Sequence, residues 1–271
     1  MSIRLTGLNI HPIKSARGIP LDESAVDEFG LRYDRRWMVV NQSGGFLSQR
    51  SHPRMALVVP SVRGDLLRIE APGMRPLETP LHPSATVATT VTVWDDTCSA
   101  TWLGERTAGW FTEYLGTPCS LVHMADDVMR PADQAFAPPT TRVSFADGFP
   151  FLLISEESLA DLNGRLARPL PMNRFRPNLV VAGGQPYAED GWDRLEIGGL
   201  RLRVVKPCDR CVVTTTDQST GERGEEPLRT LATYRRRDGL VMFGQNVVHE
   251  SRGRLRVGDE VIVCSTRAEM L

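Results

Sequence analysis

No apolar run in the sequence is long enough to cross a bilayer. The longest, such as Phe149 to Ile154, fall far short of the ~20 residues a spanning helix needs. Neither sign of charge is in surplus. There are 32 Lys+Arg against 33 Asp+Glu, a formal net charge of -1, so nothing attracts nucleic acid or anionic lipid in bulk. Any anion binding must come from local clusters. Cysteine is scarce: Cys98, Cys119, Cys208, Cys211 and Cys264 are five, an odd number, scattered apart from one C-x-x-C. That pattern argues against a disulfide framework and for a reducing compartment. The first residues alternate charged and apolar side chains and lack the h-region of a signal peptide, so a cytoplasmic protein is expected. Gly-x-Ser-x-Gly and Gly-x-x-x-x-Gly-Lys are both missing, which excludes the nucleophile elbow and the P-loop. His11, His52, His82, His123 and His249 fall at no metal-ligand spacing, and no internal repeat is seen.

What is present reads as β structure. The 271 residues suffice for one large core or two ordinary domains. Short apolar or alternating runs predict strands at Ile3 to Ile10, Trp37 to Asn41, Met55 to Val59, Leu66 to Ile69 and Thr89 to Trp94. Ala108, Phe111 and Leu115 recur at helical spacing before Gly116 and predict a helix over Glu105 to Leu115. The Pro-rich stretch from Ala125 to Thr141 is read as a linker or a long functional loop. In the second half, strands are expected at Pro150 to Ile154 and Asn178 to Ala182, with Ser155 capping a short helix between them. Leu195 to Val205 reads as a hairpin turning at Gly198-Gly199, Cys211 to Thr216 as a β-branched run, Leu228 to Arg237 as a basic helix, and Leu255 to Val263 as a final hairpin. Many short strands and few helices imply a mostly β, α+β protein of barrel or sandwich type.

Pro207-Cys208-Asp209-Arg210-Cys211 is the strongest chemical feature. Structural zinc usually takes four ligands, and no second C-x-x-C or paired His completes such a set. A redox dithiol wants a helix after the motif, whereas a β-branched run follows. One thiolate acting as a soft ligand to a transition metal fits, with Arg210 favouring the deprotonated form. Two buried structural cysteines stand as the bland alternative. Lys14-Ser15 with Arg17 nearby, Arg35-Arg36 and Arg176 could together hold a phosphate by guanidinium forks and loop amides, though each alone reads as a solvated charge. Asp147-Gly148-Phe149-Pro150 and Phe243-Gly244-Gln245-Asn246 are turns that carry polar groups or only shape the chain.

Taken in order, these fragments resemble one family. His11-Pro12-Ile13-Lys14-Ser15, Tyr33-Asp34-Arg35-Arg36-Trp37 and Gln49-Arg50 resemble the β-barrel domain that precedes a MOSC domain. The run Pro150 to Leu159, Asn173 to Asn178, Glu189 to Trp192, Pro207 to Cys211, Thr215 to Asp217 and Phe243 to Asn246 resemble the MOSC domain itself. The resemblance covers residues 3 to 263 and includes the mitochondrial amidoxime-reducing components and their bacterial counterparts. It implies an N-terminal barrel over residues 1–120 packed on a MOSC barrel over 121–271, and a molybdenum–molybdopterin cofactor with Cys211 as the thiolate ligand of molybdenum. The same resemblance places Lys14, Ser15, Arg35, Asp147, Gly148, Phe149, Arg176, Asn178, Asp209 and Arg210 against the cofactor, and Gln245 and Asn246 with looser register. Some relatives carry a [2Fe–2S] domain or a membrane anchor, and neither is expected of this sequence. The implied activity is reduction of N-hydroxylated small molecules with electrons from a separate flavoprotein reductase or small redox carrier, with no nucleic-acid polymer or membrane as partner. The rival implication is a molybdenum-cofactor carrier or sulfur-transfer protein.

Overall fold

All five residues of Phe151–Ser155 are buried. An unbroken apolar run of that length suits a strand covered on both faces. It pairs in parallel with Leu179–Ala182 and antiparallel with Leu240–His249. In this computed structural model, which describes residues 2–84 and 87–267, these strands lie inside a nine-stranded sheet. Its path runs Val261–Thr266, Trp192–Ile197, Leu200–Asp209, Leu240–His249, Phe151–Ser155, Leu179–Ala182, Arg4–Ile10 and Ile19–Leu21. Arg236–Arg237 pairs on Leu240–His249 off this path. The sheet then closes on itself. The Val261 amide donates to the Ile3 carbonyl and the Leu5 amide to the Asp259 carbonyl, both at 2.9 Å. This bridge joins the two ends of the sheet, and Leu5, Leu153, Leu179, Leu202 and Val247 share one buried core.

Arg4–Ile10 and Ile19–Leu21 thus join a sheet otherwise built from residues late in the chain, and Glu23–Asp27 likewise pairs with Gly253–Arg256. Between them lie a four-stranded sheet (Trp37–Asn41, Cys119–His123, Asp96–Trp102, Ala88–Val93) and a three-stranded one (Val59–Arg63, Leu66–Glu70, Leu77–Pro80). The helix Glu105–Leu115 packs Phe111 and Tyr114 into the same core as Trp37, Val39 and Leu121. It ends where Gly116 turns left-handed, with φ 68°, a conformation that suits a residue without Cβ. The architecture is the mostly β one expected, with three α-helices among the described residues. No helix among those residues is long and apolar enough to cross a membrane.

Several local expectations are corrected. The segment assigned as a strand from Met55 to Val59 is a 3-10 helix, Pro53–Leu57, followed by the strand Val59–Arg63. Pro53 at the first turn lacks an N–H and has its φ preset for a helical start. The basic helix stops at Leu231, because Arg236–Arg237 turns back on Leu240–His249 through Asp238 and Gly239. Both turn residues have positive φ, the geometry of a tight hairpin. Gly253–Arg256 and Val261–Thr266 flank Gly258 but pair with Glu23–Asp27 and Trp192–Ile197, not with each other. Cys211 to Thr216 is not extended. The Thr214 and Thr215 hydroxyls donate to the Cys211 and Val212 carbonyls at 2.9 and 2.8 Å and help close a 3-10 turn, Val212–Thr215. Phe243 to Asn246 is no turn but the middle of Leu240–His249. Gly244 is needed there, since a Cβ would come within 2.6 Å of Ile154 Cγ1.

Candidate functional site

The segments that close the barrel's flank converge on one cleft. The Lys14 amide donates to the Trp37 carbonyl at 2.8 Å, the Arg35 amide to the His11 carbonyl at 3.0 Å, and the Phe145 amide to the Arg35 carbonyl at 3.0 Å. These bonds lash three loops together. With the loop after Leu200–Asp209 they enclose a cleft of about 800 Å³. Lys14, Ser15, Arg35, Asp147, Gly148, Phe149, Arg176, Asn178, Asp209, Arg210, Cys211 and Asn246 all line it. Gln245 does not. Successive residues of a strand point to opposite faces, so with Asn246 in the cleft, Gln245 faces away and donates to Asp190 Oδ1 at 2.7 Å.

The backbone here is held in uncommon conformations. Ser15, Arg35, Trp94 and Arg176 have φ of 67°, 51°, 58° and 57°, and all four line the cleft. Non-glycine residues in the left-handed region cost free energy and concentrate where a binding geometry is over-determined by its surroundings.

Seven cationic side chains line the cleft against five carboxylates. Lys14 donates to Asp147 Oδ1 at 2.5 Å and to the Phe145 carbonyl at 2.8 Å. Burial lowers the Lys14 ammonium from its ordinary value despite Asp147. For Asp147, burial pulls upward, but the Lys14 charge and the Lys14 and Trp94 hydrogen bonds outweigh it and hold the carboxyl well below the carboxylate range. Its side chain nevertheless keeps 71% of its surface open, so it remains available at the cleft wall. Arg35 pairs with the buried Asp34 and donates to Asn178 Oδ1 at 3.1 Å. Arg176 donates to the Ala16 carbonyl, and no carboxylate is paired with it among the described residues. Burial, then the Arg35 charge, pushes it down to about 9. A buried guanidinium so crowded favours an incoming anion.

The two cysteines of the C-x-x-C differ. Arg210 donates to Cys208 Sγ at 3.0 Å and to the Phe175 carbonyl at 2.6 Å, so the cationic contact expected for the ligand thiolate goes to Cys208. Burial pushes the Cys208 thiol up in spite of it. Cys211 sits half-buried on the cleft at the start of the 3-10 turn, with its carbonyl accepting from the Thr214 amide at 3.1 Å. Among the described residues no group of three or more His, Cys, Asp or Glu is placed to hold a metal ion. A metal at Cys211 needs further donors from its own cofactor. The cleft suits such a group: a soft sulfur at one place, surplus positive charge for a phosphate, and a buried Arg210 Nε with no acceptor.

The sequence did not reveal Phe46, Trp94 or Arg130 as cleft residues. Arg130, 2% exposed, donates to the Ser144 and Ala146 carbonyls at 2.8 and 2.6 Å and pairs with Asp96. It shows that the Pro-rich stretch packs into the cleft wall at Arg130. Nothing in Met129-Arg130-Pro131 signals a buried guanidinium. Arg17 lies outside the cleft and donates to the Gln218 carbonyl at 2.6 Å.

A mostly β chain with a cysteine-bearing, cation-rich cleft beside its barrel is the class of protein the fold and site describe, and the chain belongs to the MOSC-domain family. It matches the MOSC N-terminal beta barrel domain over residues 2–118 and the MOSC domain over residues 140–262. It is 37% identical to mitochondrial amidoxime-reducing component 1 of Homo sapiens over 278 residues, covering 93% of this chain and 80% of that protein. Identity to mitochondrial amidoxime reducing component 2 of Rattus norvegicus is also 37%, over 273 residues, with the same coverage of 93% and 80%. Molybdenum cofactor sulfurase of Danio rerio is 33% identical over 288 residues, 96% of this chain but 34% of that protein.

Proposed function

We propose that this chain binds a molybdenum–molybdopterin cofactor in the cleft and reduces N-hydroxylated small molecules, amidoximes, hydroxylamines or N-hydroxylated bases. The observation that carries the reading is Cys211 on a cleft whose lining holds more cations than carboxylates. Cys211 is the residue to ligate the metal. Lys14, Ser15, Arg35, Arg176 and Arg210 are the residues to hold the pterin and its phosphate, with Asp147, Gly148, Phe149, Asn178, Asp209 and Asn246 completing the wall. Gln245 serves from behind by fixing Asp190. When bound, the cofactor supplies the two-electron chemistry that turns N–OH into N–H and water.

The protein's own groups prepare the site. Asp34 neutralises Arg35 on one side and accepts from the His11 amide at 2.6 Å, which fixes the guanidinium before any ligand arrives. Lys14 and Trp94 both donate to Asp147 Oδ1, so this carboxylate stays ionised and cannot supply a proton near neutral pH. Electrons are to come from a separate protein, a flavoprotein reductase or a small redox carrier. The free cysteines fit a reducing, cytoplasmic compartment.

The cofactor carrier or sulfur-transfer reading is the alternative that the sulfurase relative favours. One assay separates them: holoprotein with reduced viologen and benzamidoxime, with Cys211→Ser as the blank. Turnover above the blank supports the reductase. A blank-level rate at full molybdenum occupancy, with ready release of cofactor to an apo-molybdoenzyme, supports the carrier.

A further inference from the structure

Trp94 is the one large aromatic side chain of the cleft lining that is more than a third exposed, at 41%. Its backbone is left-handed, with φ 58°, so the turn Trp94-Asp95 is held in place against its intrinsic preference. The indole is anchored from three directions. Its Nε1 donates to Asp147 Oδ1 at 3.0 Å, and Phe46 packs against it in a T-shaped arrangement, with ring centroids 5.0 Å apart at 70°. The Arg50 guanidinium covers a face at 4.2 Å from the centroid. One face and the N–H are thus engaged, and the surface that stays exposed belongs to a ring held fixed at the cleft wall. A ring with a cation on one side offers its other face to a neutral conjugated ligand, by stacking and dispersion.

Phe149 also lines the cleft, and Phe136 packs against it in a T-shaped pair at 6.4 Å and 72°. Phe136 is itself 40% exposed. Burying neither of these rings nor Trp94 completely is a cost to the fold that a bound planar molecule would remove.

We propose that the open face of Trp94, backed by Arg50 and braced by Phe46, is the stacking surface that selects planar, conjugated N-hydroxylated substrates over small non-aromatic ones. This deepens the reductase reading and rests on it. Trp94 acts by binding the ring of the substrate and takes no part in the electron or proton steps. Its bond to Asp147 ties that surface to the turn expected to meet the cofactor.

The experiment uses holoprotein, reduced viologen and two substrates, benzamidoxime and hydroxylamine, with Trp94→Leu and Trp94→Phe. The ratio of kcat/KM for benzamidoxime to kcat/KM for hydroxylamine should fall about ten-fold in Trp94→Leu, the effect of losing one aromatic stack, mostly through KM. Trp94→Phe should restore most of the ratio, because a ring returns without the N–H. An unchanged ratio in Trp94→Leu overturns the proposal. So does an equal loss in Trp94→Phe, which would trace the effect to the Asp147 hydrogen bond. A second measurement does not need turnover: equilibrium binding of benzamidoxime to holoprotein without an electron donor. Binding about ten-fold weaker in Trp94→Leu than in wild type supports the stack even if neither substrate is reduced, an outcome that would count against the reductase alone. Equal binding in the two proteins refutes the stack.

Discussion

Gln49 and Gln218 form a reciprocal amide pair. Each Nε2 donates to the other's Oε1 at 3.0 Å, both residues are buried, and 169 positions separate them. Gln49 Nε2 also reaches the Ser15 carbonyl at 2.8 Å, and Gln218 Nε2 the Thr216 carbonyl at 3.0 Å. One pair of side chains therefore fixes a cleft residue from the start of the chain and the loop that follows Cys211. Gln49→Ala should destabilise the protein by about 1–3 kcal/mol, because the Gln218 amide is left buried without its partner. In a double-mutant cycle with Gln218→Ala, the double variant should lose less stability than the sum of the two single losses. Strict additivity in urea denaturation would mean that the pair is not coupled.

The cysteines should separate cleanly. Cys211→Ser removes the soft donor on the cleft and should abolish molybdenum binding, whereas Cys208→Ser keeps an acceptor for the Arg210 guanidinium and should retain most of the metal. Metal analysis of both variants checks this. Equal loss in the two would point to a paired-thiol site.

Arg176 and Arg35 should behave differently although both line the cleft. Arg35→Ala leaves the buried Asp34 carboxylate without its guanidinium, so the fold itself should lose about 3–5 kcal/mol. Arg176 has a carbonyl but no paired carboxylate among the described residues, and its removal relieves the crowding with Arg35. Arg176→Ala should therefore melt at or above the wild-type temperature as apoprotein while its pterin occupancy falls. Arg17→Ala, outside the cleft, should keep its pterin. Full occupancy in Arg176→Ala would show that the phosphate is held elsewhere.

Acid should weaken the fold well before the carboxylates titrate. Burial pushes His11 and His123 from the usual 6.5 to about 3, so the unfolded chain binds protons between these values while the folded chain does not. Stability therefore rises with pH across that window and falls as pH drops from about 6.5 toward 3. At pH 5 each neutral histidine should cost about 2 kcal/mol relative to pH 7 or above. The depressed Asp34 and Asp147 add to the loss at lower pH, since their contribution is present above the ordinary carboxylate value and disappears as they protonate. Urea midpoints at pH 7 and pH 5 measure the effect, and His123→Phe should flatten it. A midpoint that does not move with pH in the wild type would contradict the burial of these rings.

Much of this was legible because the signals were local. The helix from Glu105 to Leu115 carries its own period and stop, and Ser155 caps its helix by accepting from the Ser158 amide, as its position implies. The residues around Cys211, Lys14 and Arg176 were marked by motif order, and they converge on one cleft. What stayed hidden depends on distant partners. Gly253–Arg256 and Val261–Thr266 look like a hairpin, but each has a better partner far away in sequence. Gln245 and Asn246 look alike in sequence, and only the strand's alternation decides which one faces the cleft. Arg130 gives no warning of its burial, because three carbonyls brought in by a later loop satisfy it. Thr214 and Thr215 favour extended structure by type, and their hydroxyl bonds to the preceding turn decide otherwise.

On the proposed reading, Cys211 and the surrounding cations hold a molybdenum–pterin group. Protein expressed in a molybdenum-sufficient host, analysed for metal and for pterin fluorescence after oxidation, tests it most directly. The wild type should carry near-stoichiometric molybdenum and pterin, and Cys211→Ser should show neither bound metal nor turnover. Stoichiometric zinc with no pterin fluorescence would contradict it.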